Sequence, residues 1–295
     1  MSKYSLKMLL ALGFFVGLIS LIPRGKGTAA LSKQDFWKNK VTQKPTYDYV
    51  VAGDSRVYRG FPAEVLGNAF NFGFSSASIT PYFIEKAASL LKPDGKKVLI
   101  LGVTPHSLSG PYKKYNAHLK GLEKKWSKNV DLEALAGGEK TYSFDSFIKD
   151  PTDDLTRHFQ GSKAPKRVTY YRSGFVGTAT MTESHKKALD SYKKTFSKVR
   201  FDPEMMNSSC EKISELVERD YKVYFYFPPV PGSMTGLEKG LGQFSFELLV
   251  ERWKGCGAEP IEVEGNFLSY DGSHLNELSA YNLAIFIREK LPERR

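Results

Sequence analysis

Short, unbroken apolar runs alternate with longer stretches of helical spacing along this chain. "YDYVVAG" (47–53), "AFNFG" (69–73), "KKVLILGV" (96–103), "KVYFYFPPV" (222–230) and "EPIEV" (259–263) are rich in β-branched and aromatic residues. Most are bounded by Gly or Pro, the signature of strands. The run at 96–103 is continuously apolar from Val98, as in a parallel strand buried on both faces. After Pro81, which suits a first helical turn, Phe83, Ile84, Ala87, Ala88, Leu90 and Leu91 recur at helical spacing. Further helices are predicted over 203–221, 244–257 and 276–291, the last opened by Asn276 as a cap. Strands alternating with helices predict an α/β fold whose parallel sheet is covered on both faces.

The alternation lapses between about 104 and 200. That stretch has turn clusters at Ser109-Gly110-Pro111, Gly137-Gly138 and Asp150-Pro151, a helical pattern over 182–197, and no strong strand signal. It reads as an insertion into one domain spanning 31–295. The segment 28–46 is polar and reads as a linker with a helical turn at most. At the N-terminus a basic start precedes an uncharged apolar run from Met8 to Ile22, with Arg24 and Lys26 beyond. The run is short of the about 20 residues of a full span and close to a signal-peptide core. The charged residues after it favour an uncleaved signal anchor over a cleaved signal, so residues 1–30 are expected to be a membrane helix and linker. The body is then expected to be membrane-anchored and extracytoplasmic.

Composition fits a folded chain: 20 Phe, 16 Tyr and 41% hydrophobic residues exclude disorder overall. The net charge is +11, and residues 110–200 carry +9 of it, as 15 Lys and 4 Arg against 10 acidic residues. A basic segment dotted with aromatics can serve nucleic acid, anionic polysaccharide or acidic headgroups. Export argues against nucleic acid as a partner; a solvated lysine-rich surface is the plain alternative. Cys210 and Cys256 lie on separate predicted elements, and two free, buried thiols are expected, although pairing in an oxidising compartment stays open. No zinc spacing is present, and "GLEKGLG" (236–242) lacks the order of a phosphate loop, so it reads as a flexible loop. No cofactor is implied.

The candidate chemistry sits where strands end, because ligands of open α/β sheets collect at their carboxyl edges. Gly53-Asp54-Ser55 turns the chain directly out of the first strand. A serine hydroxyl becomes a nucleophile only when a base takes its proton and a third group orients that base. Of the five histidines, His118, His158 and His185 lie in the basic stretch and read as solvated, and His106 follows a strand as a local or substrate-edge residue. His274 stands three residues after Asp271 in "YDGSHLN", a spacing at which the carboxylate can hold Nδ1. Asp54 is expected to stabilise the turn.

"VVAGDSRVYRG", "FNFGFSSASI", "VLILGVTPHSLS" and "YDGSHLN", in this order across roughly residues 47–290, resemble the SGNH/GDSL hydrolase superfamily. The resemblance implies a three-layer α/β/α flavodoxin-like sandwich. It implies Ser55 as nucleophile, with Asp271 and His274 completing a triad, and the backbone N–H groups of Ser55 and Gly73 in an oxyanion hole. The third block departs: where the family carries an asparagine donor this chain has Thr104, which could give a weaker hydrogen bond, or a group from the insertion could substitute. Arg56, Asn71 and His106 are candidate substrate contacts; Arg56 could hold an anion or pair with a carboxylate. With the N-terminal run, the departure is similar to the branch that acylates or deacylates envelope glycans beside a membrane-bound O-acyltransferase. The expected function is a serine acyl-esterase or O-acyltransferase acting on acylated, anionic glycan, with Tyr112, Tyr115, Trp126, Tyr170 and Tyr171 as ring-stacking candidates. The alternative is a weak or inactive protein on the same scaffold that binds glycan.

Overall fold

The computed structural model describes residues 30–110, 115–126, 168–178, 185–240 and 244–292. Five parallel strands form the central sheet: β1 (Tyr49–Gly53), β2 (Ala69–Gly73), β3 (Val98–Gly102), β8 (Lys222–Tyr226) and β9 (Glu259–Pro260), in the order β2-β1-β3-β8-β9. Two small antiparallel pairs accompany it: β4 (Ser109–Gly110) with β7 (Arg200–Phe201), and β5 (Val168–Tyr170) with β6 (Val176–Thr178). The helices are α1 (Lys33–Val41), α2 (Ser55–Gly60), α3 (Pro81–Ala88), α4 (Ala117–Trp126), α5 (Lys186–Phe196), α6 (Pro203–Glu218), α7 (Gly232–Lys239), α8 (Phe246–Gly255) and α9 (Glu277–Lys290). Side-chain caps open most of the larger ones: Thr80 for α3, Asp202 for α6, Ser245 for α8 and, as its sequence predicts, Asn276 for α9.

Strand alternation sorts the sheet's side chains into two cores. Val50, Ala52, Leu99, Leu101, Val223 and Phe225 face Phe83, Ile84, Ile213, Leu216, Leu249 and Trp253 of α3, α6 and α8. Val51, Ile100, Tyr224 and Tyr226 face Val57 of α2 and Leu283, Ala284 and Ile287 of α9. The result is a mixed α/β architecture with helices over both faces, compatible with a flavodoxin-like fold. In chain order the sheet runs second, first, third, fourth, fifth, so its switch point lies between β1 and β3, where such folds open a crevice.

Several expectations are corrected. The segment expected to be a linker holds α1, whose Phe36 and Lys40 are fully buried. The stretch without strand signals contains β4 to β7, too short to leave a sequence pattern. The turn between β5 and β6 covers the edge strand, because Asn71 N–H donates to the Ser173 carbonyl at 2.8 Å. The supposed flexible loop at 236–242 is helical through Lys239. Cys210, midway along α6, and Cys256, the C-cap of α8, form a disulfide with Cα atoms 5.6 Å apart. The expectation of a membrane-anchored, extracytoplasmic protein is also corrected. No helix among the described residues is long and apolar enough to cross a membrane, and the run from Met8 to Ile22 lies outside them.

Candidate active site

Three strands end in glycine at the same level: Gly53 pairs with Gly73 on one side and Gly102 on the other. A Cβ on Gly53 would lie 2.5 Å from the Gly102 carbonyl, and one on Gly73 would lie 2.6 Å from the Tyr58 nitrogen. Bare backbone here lets α2 settle directly onto the strand ends. Asp54 caps that helix by accepting from Arg56 N–H at 2.9 Å, so Ser55 becomes its first residue. The Ser55 N–H has no partner among the described residues and Ser55 is partly exposed.

The loop before α9 brings the second half of the site. Gly272, at φ +88°, takes the left-handed turn that lets the Ser273 and His274 N–H groups fold back onto Asp271 Oδ1, at 3.0 and 2.8 Å. Asp271 Oδ2 then lies 2.9 Å from His274 Nδ1, and His274 Nε2 lies 2.9 Å from Ser55 Oγ, across 219 residues of sequence. With Nδ1–H donated to the carboxylate, Nε2 is left unprotonated to accept from Ser55. Burial pushes the Asp271 carboxyl up, but bonds from the His274 ring and from the two backbone N–H groups outweigh it and hold Asp271 down at about 2. Its folded value is depressed, so the stabilisation it gives is complete above the unfolded carboxylate range near pH 4 and is lost as pH falls through about 2.

The remaining predicted site residues lie nearby but turn elsewhere. Arg56 is buried and pairs with Glu238 Oε1 of α7 at 2.6 Å, so it meets a carboxylate of this chain and not a substrate anion. Asn71 is fully buried: its Nδ2 donates to the Val57 and Phe61 carbonyls, each at 2.8 Å, and its Oδ1 accepts the Gly73 N–H at 2.9 Å. These bonds make Asn71 a bracket for α2, with no group left for a substrate. They also engage the Gly73 N–H expected in the oxyanion hole. Thr104 is buried and donates its hydroxyl to Asp54 Oδ2 at 2.7 Å, so it fixes the cap and does not face a developing oxyanion. The N–H groups of Ser75 and Ser76, in the turn after β2, have no partner among the described residues, and Ser76 stands at φ +52°. His106 is half-buried against Phe196; burial lowers its pKa, with Asp54 opposing and Arg56 adding to the shift.

Residues that sequence reasoning missed build the support. Tyr192 of α5 lies under the Arg56 guanidinium at 5.4 Å and accepts from the Ser273 hydroxyl at 2.6 Å, joining the nucleophile turn to the Asp271 loop. Glu238 closes that network from α7. Neither carries a motif; their roles come from contacts far apart in sequence. Lys40 of α1 is a third. Fully buried among Phe36, Tyr58, Phe70 and Phe74, it donates to the Asn71 carbonyl at 2.6 Å and the Gly73 carbonyl at 2.7 Å. Burial pushes its pKa well below the ordinary lysine value. Lys40→Met should orphan both carbonyls and lower stability by about 1–3 kcal/mol, read from the urea midpoint.

Among the ring-stacking candidates, Tyr170 lines a cavity beside the site. Tyr115 donates to Asp202, Tyr171 bonds Glu277 and stacks on Phe175, and Trp126 lies beneath Lys38 and Lys125. Tyr112 and His158 lie outside the described residues. His118, expected to be solvated, lines the same cavity as Tyr170, and His185 packs against Gly272.

No protein-family model matches the chain, and no curated protein does. One solved structure to which it is similar is described as "a putative platelet activating factor from Streptococcus pneumonia", at 11% identity over 99% of this chain and 100% of that one, with a TM-score of 0.37. At that score the overlap is too loose to assign a family.

Proposed function

We propose that the chain is a serine acyl-esterase or O-acyltransferase of SGNH type, acting on acyl esters, foremost acetyl esters, of a polysaccharide. The observation that carries this reading is the line Ser55–His274–Asp271, closed by two contacts of 2.9 Å. Ser55 Oγ attacks the acyl carbonyl while His274 Nε2 takes its proton, and Asp271 stabilises the imidazolium. The Ser55 N–H, with donors from the Ser75–Ser76 turn, faces the oxyanion in place of Gly73 and Thr104. As the tetrahedral species collapses, His274 returns the proton to the departing alcohol, leaving acyl-Ser55. Water then completes hydrolysis, or a sugar hydroxyl completes transfer, with His274 again as base.

Acetate release from acetylated xylan tests the reading. Wild type should release acetate and Ser55→Ala should not. A second reading, a glycan-binding scaffold with weak or no activity, draws on the engagement of Thr104 with Asp54 and of Gly73 with Asn71. It predicts at most a trace of release by wild type, far below that of an efficient esterase.

A further inference from the structure

A cavity of about 450 Å³ opens beside the nucleophile helix, within the roughly 300–1,000 Å³ of small-molecule sites. Tyr58 and Arg59 in its wall stand three and four residues after Ser55, so they lie on the Ser55 side of α2, about one turn along. Ser75 and Ser76 follow β2, whose last residue is paired with Gly53, and line the cavity from the strand end beside the nucleophile turn. The cavity therefore shares the candidate catalytic end of the sheet. Apart from the Ser75–Ser76 turn, the reaction derived above uses none of its walls.

Three features define what it takes. The walls are aromatic: Trp37 is half-buried, with Tyr58 and His118 edge-on at 5.6 and 4.5 Å, and Tyr170 is half-buried beside them. The charge is positive: Arg59 donates to the neutral hydroxyls of Tyr58 at 3.0 Å and Tyr270 at 2.7 Å, and among the described residues no carboxylate pairs with it. A guanidinium has five N–H groups, so most of its donors remain for an anion. Lys33 adds an exposed cation at the rim. Finally, His118 Nδ1 is buried with no hydrogen-bond partner, a state that a bound polar group relieves.

We propose that this cavity binds an anionic unit of a glycan: a sugar ring along Trp37 and Tyr170, with its carboxylate or phosphate on Arg59. An acyl chain there would strand the cations and the orphan nitrogen in hydrocarbon, and a bare inorganic anion would leave the rings unused. A charged sugar supplies an apolar C–H face, a rim of hydroxyls and the charge together. The cavity also touches the triad's surroundings, because Tyr270, which accepts from Arg59, stacks on the His274 ring at 5.8 Å and 17°. That this sugar is the acyl donor or acceptor rests on the reading of Ser55 as nucleophile; its binding does not.

Calorimetric titration of the full chain tests the proposal with tetragalacturonate against its methyl ester, and 6-phosphorylated mannopentaose against mannopentaose. At least one charged oligosaccharide should bind at least tenfold more tightly than its neutral counterpart, the pair identifying carboxylate or phosphate as the anion. Arg59→Gln should erase that preference, and Trp37→Ala should weaken the charged and neutral forms alike. Lys33→Gln, at an exposed position that spares the fold, should reduce the preference, and Ser55→Ala should leave it unchanged. Equal binding of charged and neutral forms, no binding of either charged oligosaccharide, or a preference unmoved by both Lys33→Gln and folded Arg59→Gln would overturn it. Fluorophosphonate labelling of Ser55 without oligosaccharide binding sinks this proposal and leaves the acyl-serine reading; binding without labelling does the reverse.

Discussion

His274→Ala is expected to slow ester hydrolysis by about 10⁴- to 10⁶-fold while the protein stays folded. The imidazole is part-buried at the surface of the sheet's carboxyl edge and touches Ser55 and Asp271. Its loss removes a base and leaves the packing of β1 and α2 alone. Without it Ser55 keeps its proton, and attack on the carbonyl loses both its base and the acid that serves the leaving alcohol. Asp271→Asn should cost about 10⁴-fold, because an amide oxygen gives the imidazolium no counter-charge and an amide nitrogen favours the wrong tautomer. Groups that act as a unit are not additive, so the Ser55→Ala, His274→Ala double variant should be no slower than either single one. Turnover of p-nitrophenyl acetate, with circular dichroism to verify folding, measures all of these.

Glu238→Ala is expected to lower stability by about 3–5 kcal/mol, the cost of leaving a buried charge without its partner. Arg56 and Glu238 have side chains only 4% exposed, so water cannot replace the lost carboxylate. Burial pushes the Glu238 carboxyl up, the guanidinium opposing it, whereas Arg56 stays charged. Arg56 also follows Ser55 directly, so its displacement should loosen the nucleophile turn. Replacing both partners with apolar residues, Arg56→Met with Glu238→Leu, should recover most of the stability. The urea midpoints of wild type and the two variants decide the matter: a Glu238→Ala protein as stable as wild type would mean that the pair contributes nothing.

The parallel sheet is legible in the sequence because its central strands are apolar runs, β1 and β3 ended by glycine and β8 running on to Pro228. The pairs β4–β7 and β5–β6 are not, since strands of two or three residues leave no period. Gly-Asp-Ser and Asp-x-x-His announce themselves by local spacing, and local geometry is what spacing encodes: Asp54 caps its own helix, and Asp271 reaches back three residues. A polar residue beside a motif carries no such information about the direction it faces. Asn71, Arg56 and Thr104 all lie near Ser55, yet each is satisfied by a group of this chain that sequence does not bring close. Lys40 and Glu238 are opaque for a related reason. A lysine in a polar segment and a glutamate in a glycine-rich one read as solvated until tertiary packing buries them.

Intact-mass measurement of the folded protein after exposure to a fluorophosphonate, followed by peptide mapping, tests the central claim most directly. The account predicts a single adduct on Ser55, lost in His274→Ala. A folded wild-type protein that takes no adduct, or takes one at another residue while Ser55 stays unmodified, would contradict it.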